Sequence, residues 1–191
     1  MRVAFGLKAH SGWAALVALG ERDGSVAMTD RCRIVLVDEE WQKQPYHAAE
    51  HLRPTDARKT VARGIDAAHK GAVRELQSAI ARARQRHDDV GVCAVLVGNP
   101  MPAWNVDEIL AVHFRMHKAE GVLFRDALLH AAEACGLSPL AIPEKQSAID
   151  RTLLNAIATL GRSAGPPWGK DQKDAALAAL IALKNDKASD S

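Results

Sequence analysis

Residues 90–97 read Val90-Gly91-Val92-Cys93-Ala94-Val95-Leu96-Val97, an apolar run bounded by Asp88-Asp89 on one side and by Gly98-Asn99-Pro100-Met101-Pro102 on the other. The run has a strand's length and lacks the polar alternation of a half-exposed strand, so it reads as a parallel strand covered on both faces. Upstream, Val61, Ile65, Ala68, Ala72, Leu76, Ile80 and Ala83 step by three or four. This is the stripe of one long helix, capped near Thr55-Asp56 and ending near Arg86. Downstream, a start at Asn105 or Asp107 leads into Ile109, Val112, Met116, Leu123, Ala127, Leu128 and Ala131, a helical pattern with an expected break at Gly121 and a stop at Gly136. Leu137 to Ile142 is a short strand closed by Pro143. A helix between two such strands implies a parallel crossover on an open sheet.

The chain before this unit has the other periodicity. Val3, Phe5 and Leu7 alternate with Arg2, Gly6 and Lys8, and Ser11-Gly12 is a turn. Trp13 to Leu19 is an apolar strand, and Asp23-Gly24 within residues 21–25 is a hairpin turn. A third strand is expected over Cys32–Val37, after a less regular stretch from Val26. Pro45 to Leu52 reads as a short helix stopped by Pro54. At the far end, Ala148 to Leu160 is helical, residues 161–169 form a Gly/Pro-rich loop, and Asp171 to Lys184 is an amphipathic helix. The fold class is therefore α/β: a three-stranded antiparallel meander, then parallel strands, with helices on both faces. One domain spans residues 1–184, with a polar tail over 185–191.

Of 191 residues, 48% are apolar and 25% charged, the composition of a globular protein with an ample core. Only 4% are aromatic, which argues against a platform that stacks single-stranded bases. No apolar run approaches the roughly 20 residues of a membrane span. Charge breaks the N-terminus too early for a signal peptide, so the cytosol is the expected compartment and no membrane partner is expected. Cys32, Cys93 and Cys135 are widely spaced and odd in number, and read as reduced thiols. Residues 53–87 hold nine Lys/Arg against three Asp/Glu, whereas the segments on either side carry a slight excess of acid. Arg74, Arg82 and Arg86 on this helix are candidate phosphate contacts, against the simpler reading of a solvated basic face.

In an open α/β sheet, ligands meet the carboxyl ends of the parallel strands. Three segments lie there: Lys8-Ala9-His10-Ser11-Gly12, Gly98-Asn99-Pro100, and Trp168-Gly169-Lys170-Asp171. Gly6-Leu7-Lys8 with Ser11-Gly12-Trp13-Ala14, Glu120-Gly121-Val122, and Asp171-Gln172-Lys173-Asp174-Ala175-Ala176-Leu177-Ala178 together resemble the ribonuclease H-like superfamily, in particular RuvC-type Holliday-junction resolvases. The resemblance implies a nuclease acting on DNA or RNA phosphodiesters through two ions, Mg²⁺ or Mn²⁺, held by carboxylates of the first strand, the fourth strand and the last helix. It implies nucleic acid as partner and a homodimer as assembly. Carried onto this chain, Asp171 and Asp174 match as metal ligands, three apart at a helix start and able to share a face. The first-strand aspartate falls at Lys8, with His10 close by, and the fourth-strand acid falls near Gly98 or Asn99. Lys8 and His10 are then expected against the scissile phosphate, and Arg162 and Lys170 of the nearby loop against the backbone. Asp38, Glu39, Glu40 and Glu120 are other acids, away from the family's positions.

Other chemistries find less support. His113 and His117 have the i, i+4 spacing of a helical zinc pair, but the sequence shows no third ligand, so surface histidines are the simpler reading. His10 and Ser11 sit too close in one turn to aim at each other as base and nucleophile. No glycine-rich phosphate loop occurs. Two functional classes stay open, a nuclease on a reduced acidic set and a catalytically silent module that binds nucleic acid or protein. A small-molecule enzyme at the same edge is a third.

Overall fold

The computed structural model describes residues 1–22, 24–145 and 151–189. Strands β1 (Arg2–His10), β2 (Trp13–Arg22) and β3 (Ser25–Val35) form the antiparallel meander. A 3-10 turn (Glu40–Lys43), α1 (Pro45–Ala49) and α2 (Pro54–Gln85) lead to β4 (Asp89–Val97). Then follow α3 (Val106–Leu110), α4 (His113–Ala134), β5 (Ser138–Pro143), α5 (Arg151–Ala164) and α6 (Lys170–Ser189). The sheet order is β3-β2-β1-β4-β5, with β4 parallel to β1 and β5 parallel to β4. The carboxyl ends of β1, β3, β4 and β5 therefore share one edge of the sheet.

Side-chain alternation sorts the two layers. Phe5, Leu7, Leu16, Cys93 and Val95 face α2 and α4, whereas Ala4, Ala15, Val17, Ala94 and Leu96 face α5 and α6. A third apolar cluster joins α1, the start of α2, α3 and the start of α4 through Tyr46, Val61, Ile109 and Met116. Among the described residues, no helix is long and apolar enough to cross a membrane.

Three local expectations are revised, and one open alternative, the start at Asn105 or Asp107, is decided. β3 starts at Ser25 rather than Cys32, because a register shift between Ala18 and Leu19 lets its irregular first half keep pairing with β2. The helix break falls at Ala111-Val112, where Val112 is extended, and Gly121 sits inside a continuous α4. Asn105 caps α3, accepting from the Glu108 amide. Helix α6 continues through Ser189, past the expected end at Lys184, and the expected start of the preceding helix at Ala148 lies outside the described residues.

Gly6 sets the distance between β1 and α6. A Cβ at this position would lie 1.9 Å from the Ala175 carbonyl oxygen and 2.5 Å from the Ala179 amide nitrogen. Both are backbone atoms that cannot swing aside. The facing side of α6 is correspondingly small, with Ala175, Ala176, Ala178, Ala179 and Ala182 all buried. Gly6→Ala is expected to cost about 3 kcal/mol or more, a fall of roughly 6–12 °C in Tm for a chain of this size. A Cβ at Gly121 meets nothing within 4 Å, so Gly121→Ala is expected to stabilise by about 0.5–1 kcal/mol through helix propensity. Thermal unfolding of the two variants beside wild type checks both signs.

Candidate functional site at the carboxyl edge of the sheet

The even-numbered residues of β1 face α6, so Ala4 and Gly6 lie under the helix, and Lys8 and His10 emerge beyond it at the carboxyl edge. There the start of α6 delivers Lys170, Asp171 and Asp174. His10 Nε2 lies 3.0 Å from Asp171 Oδ1. The approach is short but off hydrogen-bonding geometry, since Nε2 is buried without a directed partner. The imidazole is fixed from its other side by stacking on Trp13, with ring centroids 4.2 Å apart and planes 9° from parallel. Arg33 in turn places its guanidinium 3.9 Å from the Trp13 ring centroid. The β-hairpin register, which pairs His10 with Trp13, makes this stack.

Lys8 has a different partner. Its Nζ is 2.8 Å from Glu144 Oε1, just beyond the end of β5, and the same oxygen accepts a 2.8 Å hydrogen bond from Arg125 on α4. Burial raises the Glu144 carboxyl, but the Lys8 hydrogen bond and the Arg125 guanidinium outweigh it and hold it below the ordinary carboxylate range. Lys8, Glu144, Lys145, Lys170 and Asp174 line a cleft of about 290 Å³. A second hollow of about 550 Å³, over the loop after β4, is lined by Asn99, Met101, Trp104, Val122, Arg125 and Asp126 among others, and shares Pro143 with the first.

The edge thus gathers Lys8, His10, Lys170, Asp171 and Asp174, and adds Glu144, Lys145 and Arg125, which sequence reading did not single out. Glu144 follows Pro143 directly, and a charged residue at the end of the last parallel strand was the available signal. The other basic candidates lie elsewhere. Arg82 Nε reaches Asp30 Oδ2 at 2.9 Å, and Arg86 lies 3.8 Å from the same carboxylate and 3.5 Å from Asp88. Arg74 donates to the Val35 carbonyl at 3.2 Å and lies 3.2 Å from Glu75. These ion pairs reduce the field that a polyanion would meet on α2, which covers the face of the sheet opposite α6. Arg162 turns back to Thr159 Oγ1 at 3.0 Å. Its loop is tied down by Arg31, which donates to the carbonyls of Gly165 and Pro167 at 3.0 and 2.7 Å, while Trp168 packs over Gly161.

With five strands in this order and α6 laid on β1, solved structures with the same architecture can be compared. A Thermus thermophilus RuvC structure aligns with 98% of this chain and 96% of its own, at a TM-score of 0.53 and 12% identity. T. thermophilus RuvC in complex with a Holliday junction substrate gives the same coverage and TM-score at 11% identity. The fold is RuvC-like. The likeness is one of architecture: no protein-family model matches the sequence, and no curated protein matches it. Within this RuvC-like fold, two acids of the carboxyl edge have neighbours in the same chain, Glu144 facing Lys8 and Arg125, and Asp171 facing the His10 ring.

The Glu144 carboxylate contributes stability above the ordinary glutamate pKa, near 4.3. Because its folded value is depressed, that contribution is lost only as pH falls through the lower folded value. Lys8→Met removes one of its two cations, so the Glu144 titration followed by ¹³C NMR should move upward, and the acid limb of the stability curve should begin at higher pH. An unmoved Glu144 titration would show that Arg125 alone holds the carboxylate.

Proposed function

We propose that this chain is a RuvC-like module that holds a nucleic-acid backbone at the carboxyl edge of its sheet with fixed side-chain cations and does not run two-metal cleavage. The observation that carries the reading is the Lys8 ammonium, 2.8 Å from Glu144 at the end of β1, where a permanent positive charge stands in for the charge that metal ions bring. Two hard divalent cations need several anionic oxygens in common. Here Glu144 is engaged by Lys8 and Arg125, and Asp171 lies against His10, so the donor set does not fit a pair of Mg²⁺ or Mn²⁺ ions. With Lys8 committed to Glu144, Lys145 and Lys170 in the same cleft suit phosphate oxygens instead. In a homodimer, two such edges would face the arms of a branched substrate. Three unbridged thiols, with Cys93 buried and pushed up to about 12 by burial and by Cys135, accord with a cytosolic setting.

A second reading has its own observation: Asp171 in the first turn of α6 and Asp174 three residues on bring two carboxylates to this edge, as a nuclease on a reduced acidic set requires. One experiment separates the two. The full chain is incubated with branched, duplex and single-stranded DNA and RNA, with and without Mg²⁺ or Mn²⁺, and binding is read by fluorescence anisotropy across a salt series. The binder reading expects affinity without metal that falls steeply with salt. It expects Lys145→Ala/Lys170→Ala to weaken every substrate and lower the log–log salt slope by about 2. Cleavage that disappears in Asp171→Ala/Asp174→Ala would overturn it in favour of the nuclease, and no binding at low salt would overturn both.

A further inference from the structure

The short helix α1 and the start of α4 bring three histidines together. His113 and His117 lie one turn apart on α4, and His47 comes from α1. One ring nitrogen from each lies within 4.8 Å of the others. The His113 and His117 Nε2 atoms are 3.1 Å apart. All three rings are mutual neighbours, with centroids separated by 5.0, 4.6 and 4.7 Å.

Their orientation is imposed from outside the triangle. Glu120, one turn beyond His117, is only 6% exposed. Its Oε1 accepts the backbone amides of Tyr46 and His47 at 3.2 and 3.1 Å, and its Oε2 lies 2.7 Å from His47 Nδ1. A buried carboxylate at this distance favours the tautomer with the proton on Nδ1, which makes Nε2 the His47 nitrogen with a lone pair to offer. Glu50 repeats the arrangement more loosely, 3.5 Å from His113 Nδ1. Carboxylates that hold the outer nitrogens of ligating histidines are a recurrent way of presenting imidazole to a metal. Two nitrogens of tetrahedral Zn²⁺, each about 2.0–2.1 Å from the ion, are roughly 3.3–3.4 Å apart, close to the His113–His117 separation.

We propose that His47, His113 and His117 bind one Zn²⁺ ion, with Glu120 and Glu50 as positioning residues and the fourth coordination position open to solvent. The ligand set is all imidazole, which suits a borderline cation such as zinc and not Mg²⁺ or Mn²⁺. The site follows β3 and β4 in the chain and so lies toward the carboxyl edge, but it shares no residue with the Lys8–Glu144 cleft and stands independently of the nucleic-acid reading. His113 and His117 are exposed at their outer surfaces, which leaves room for a water or a ligand atom on the ion.

The test uses the untagged full chain, stripped with a chelator and titrated with Zn²⁺ by calorimetry and against a chromophoric chelator. One Zn²⁺ per chain is expected, undisturbed by millimolar Mg²⁺. His47→Gln and His117→Gln should each weaken binding more than 100-fold. Glu120→Gln should weaken it 10- to 100-fold, the range for a carboxylate that orients a ligand. His69→Gln, in a separate stacked pair with His130, should bind as wild type. The Co²⁺-loaded wild type supplies a readout that needs no variant and so is independent of any effect of substitution on folding: a visible spectrum of four- or five-coordinate cobalt supports the site. A spectrum of hydrated Co²⁺, or wild-type zinc affinity no tighter than that of His117→Gln, overturns it.

Discussion

Helix α6 lies so close to β1 that a methyl group on Gly6 would overlap the Ala175 carbonyl. This contact is made by backbone and alanine, so it has no slack. It fixes the height and the axial position of α6 on the sheet together. Since Ala175 sits over Gly6, the residues one turn earlier must lie over the carboxyl end of the strand, against Lys8 and His10. The geometry of the carboxyl edge is therefore a consequence of small-residue packing in the core.

On that edge the chain answers its own charges. Glu144, Asp171 and Asp174 all lie at the carboxyl edge, and carboxylates gathered in this way repel unless cations neutralise them. In this protein Lys8 and Arg125 do so at Glu144, and the His10 ring approaches Asp171 while stacked on Trp13. The same economy appears on α2, where Arg82 and Arg86 answer Asp30.

Residues whose roles follow from local pattern were legible in the sequence. The apolar run at 90–97, the stripe on α2 and the Asn105 cap each reflect neighbours a few positions apart, and each is where its pattern puts it. Where a local rule met a tertiary one, the tertiary one decided. Gly121 has the propensity to interrupt a helix, yet α4 runs through it because Leu123, Phe124 and Ala127 anchor the following turns in the core. The chain breaks instead at Val112, where α3 has to turn to pack Ile109 beside Tyr46 and Met116. The irregular start of β3 pairs in full because a shifted register absorbs it.

The sites divide in the same way. That Asp171 lies near Asp174 was readable from their spacing of three on one helix, and so was the nearness of His113 to His117, although the sequence alone reads these two histidines as surface residues. Glu144 and Arg125 were not, since the ion pairs that give them meaning join β1, α4 and the end of β5. Nor was His47, which only the folded chain brings to His113 and His117, through the docking of α1 on α4 and the buried Glu120 that holds it there. By itself the sequence determined the element types, the α/β class and the residues that share a helix face, because these depend on periodicity and sterics over a few residues. Tertiary structure alone decided which charges neutralise each other and which nitrogens converge, because Coulomb and hydrogen-bonding interactions act across a few ångströms of space, whatever the separation along the chain.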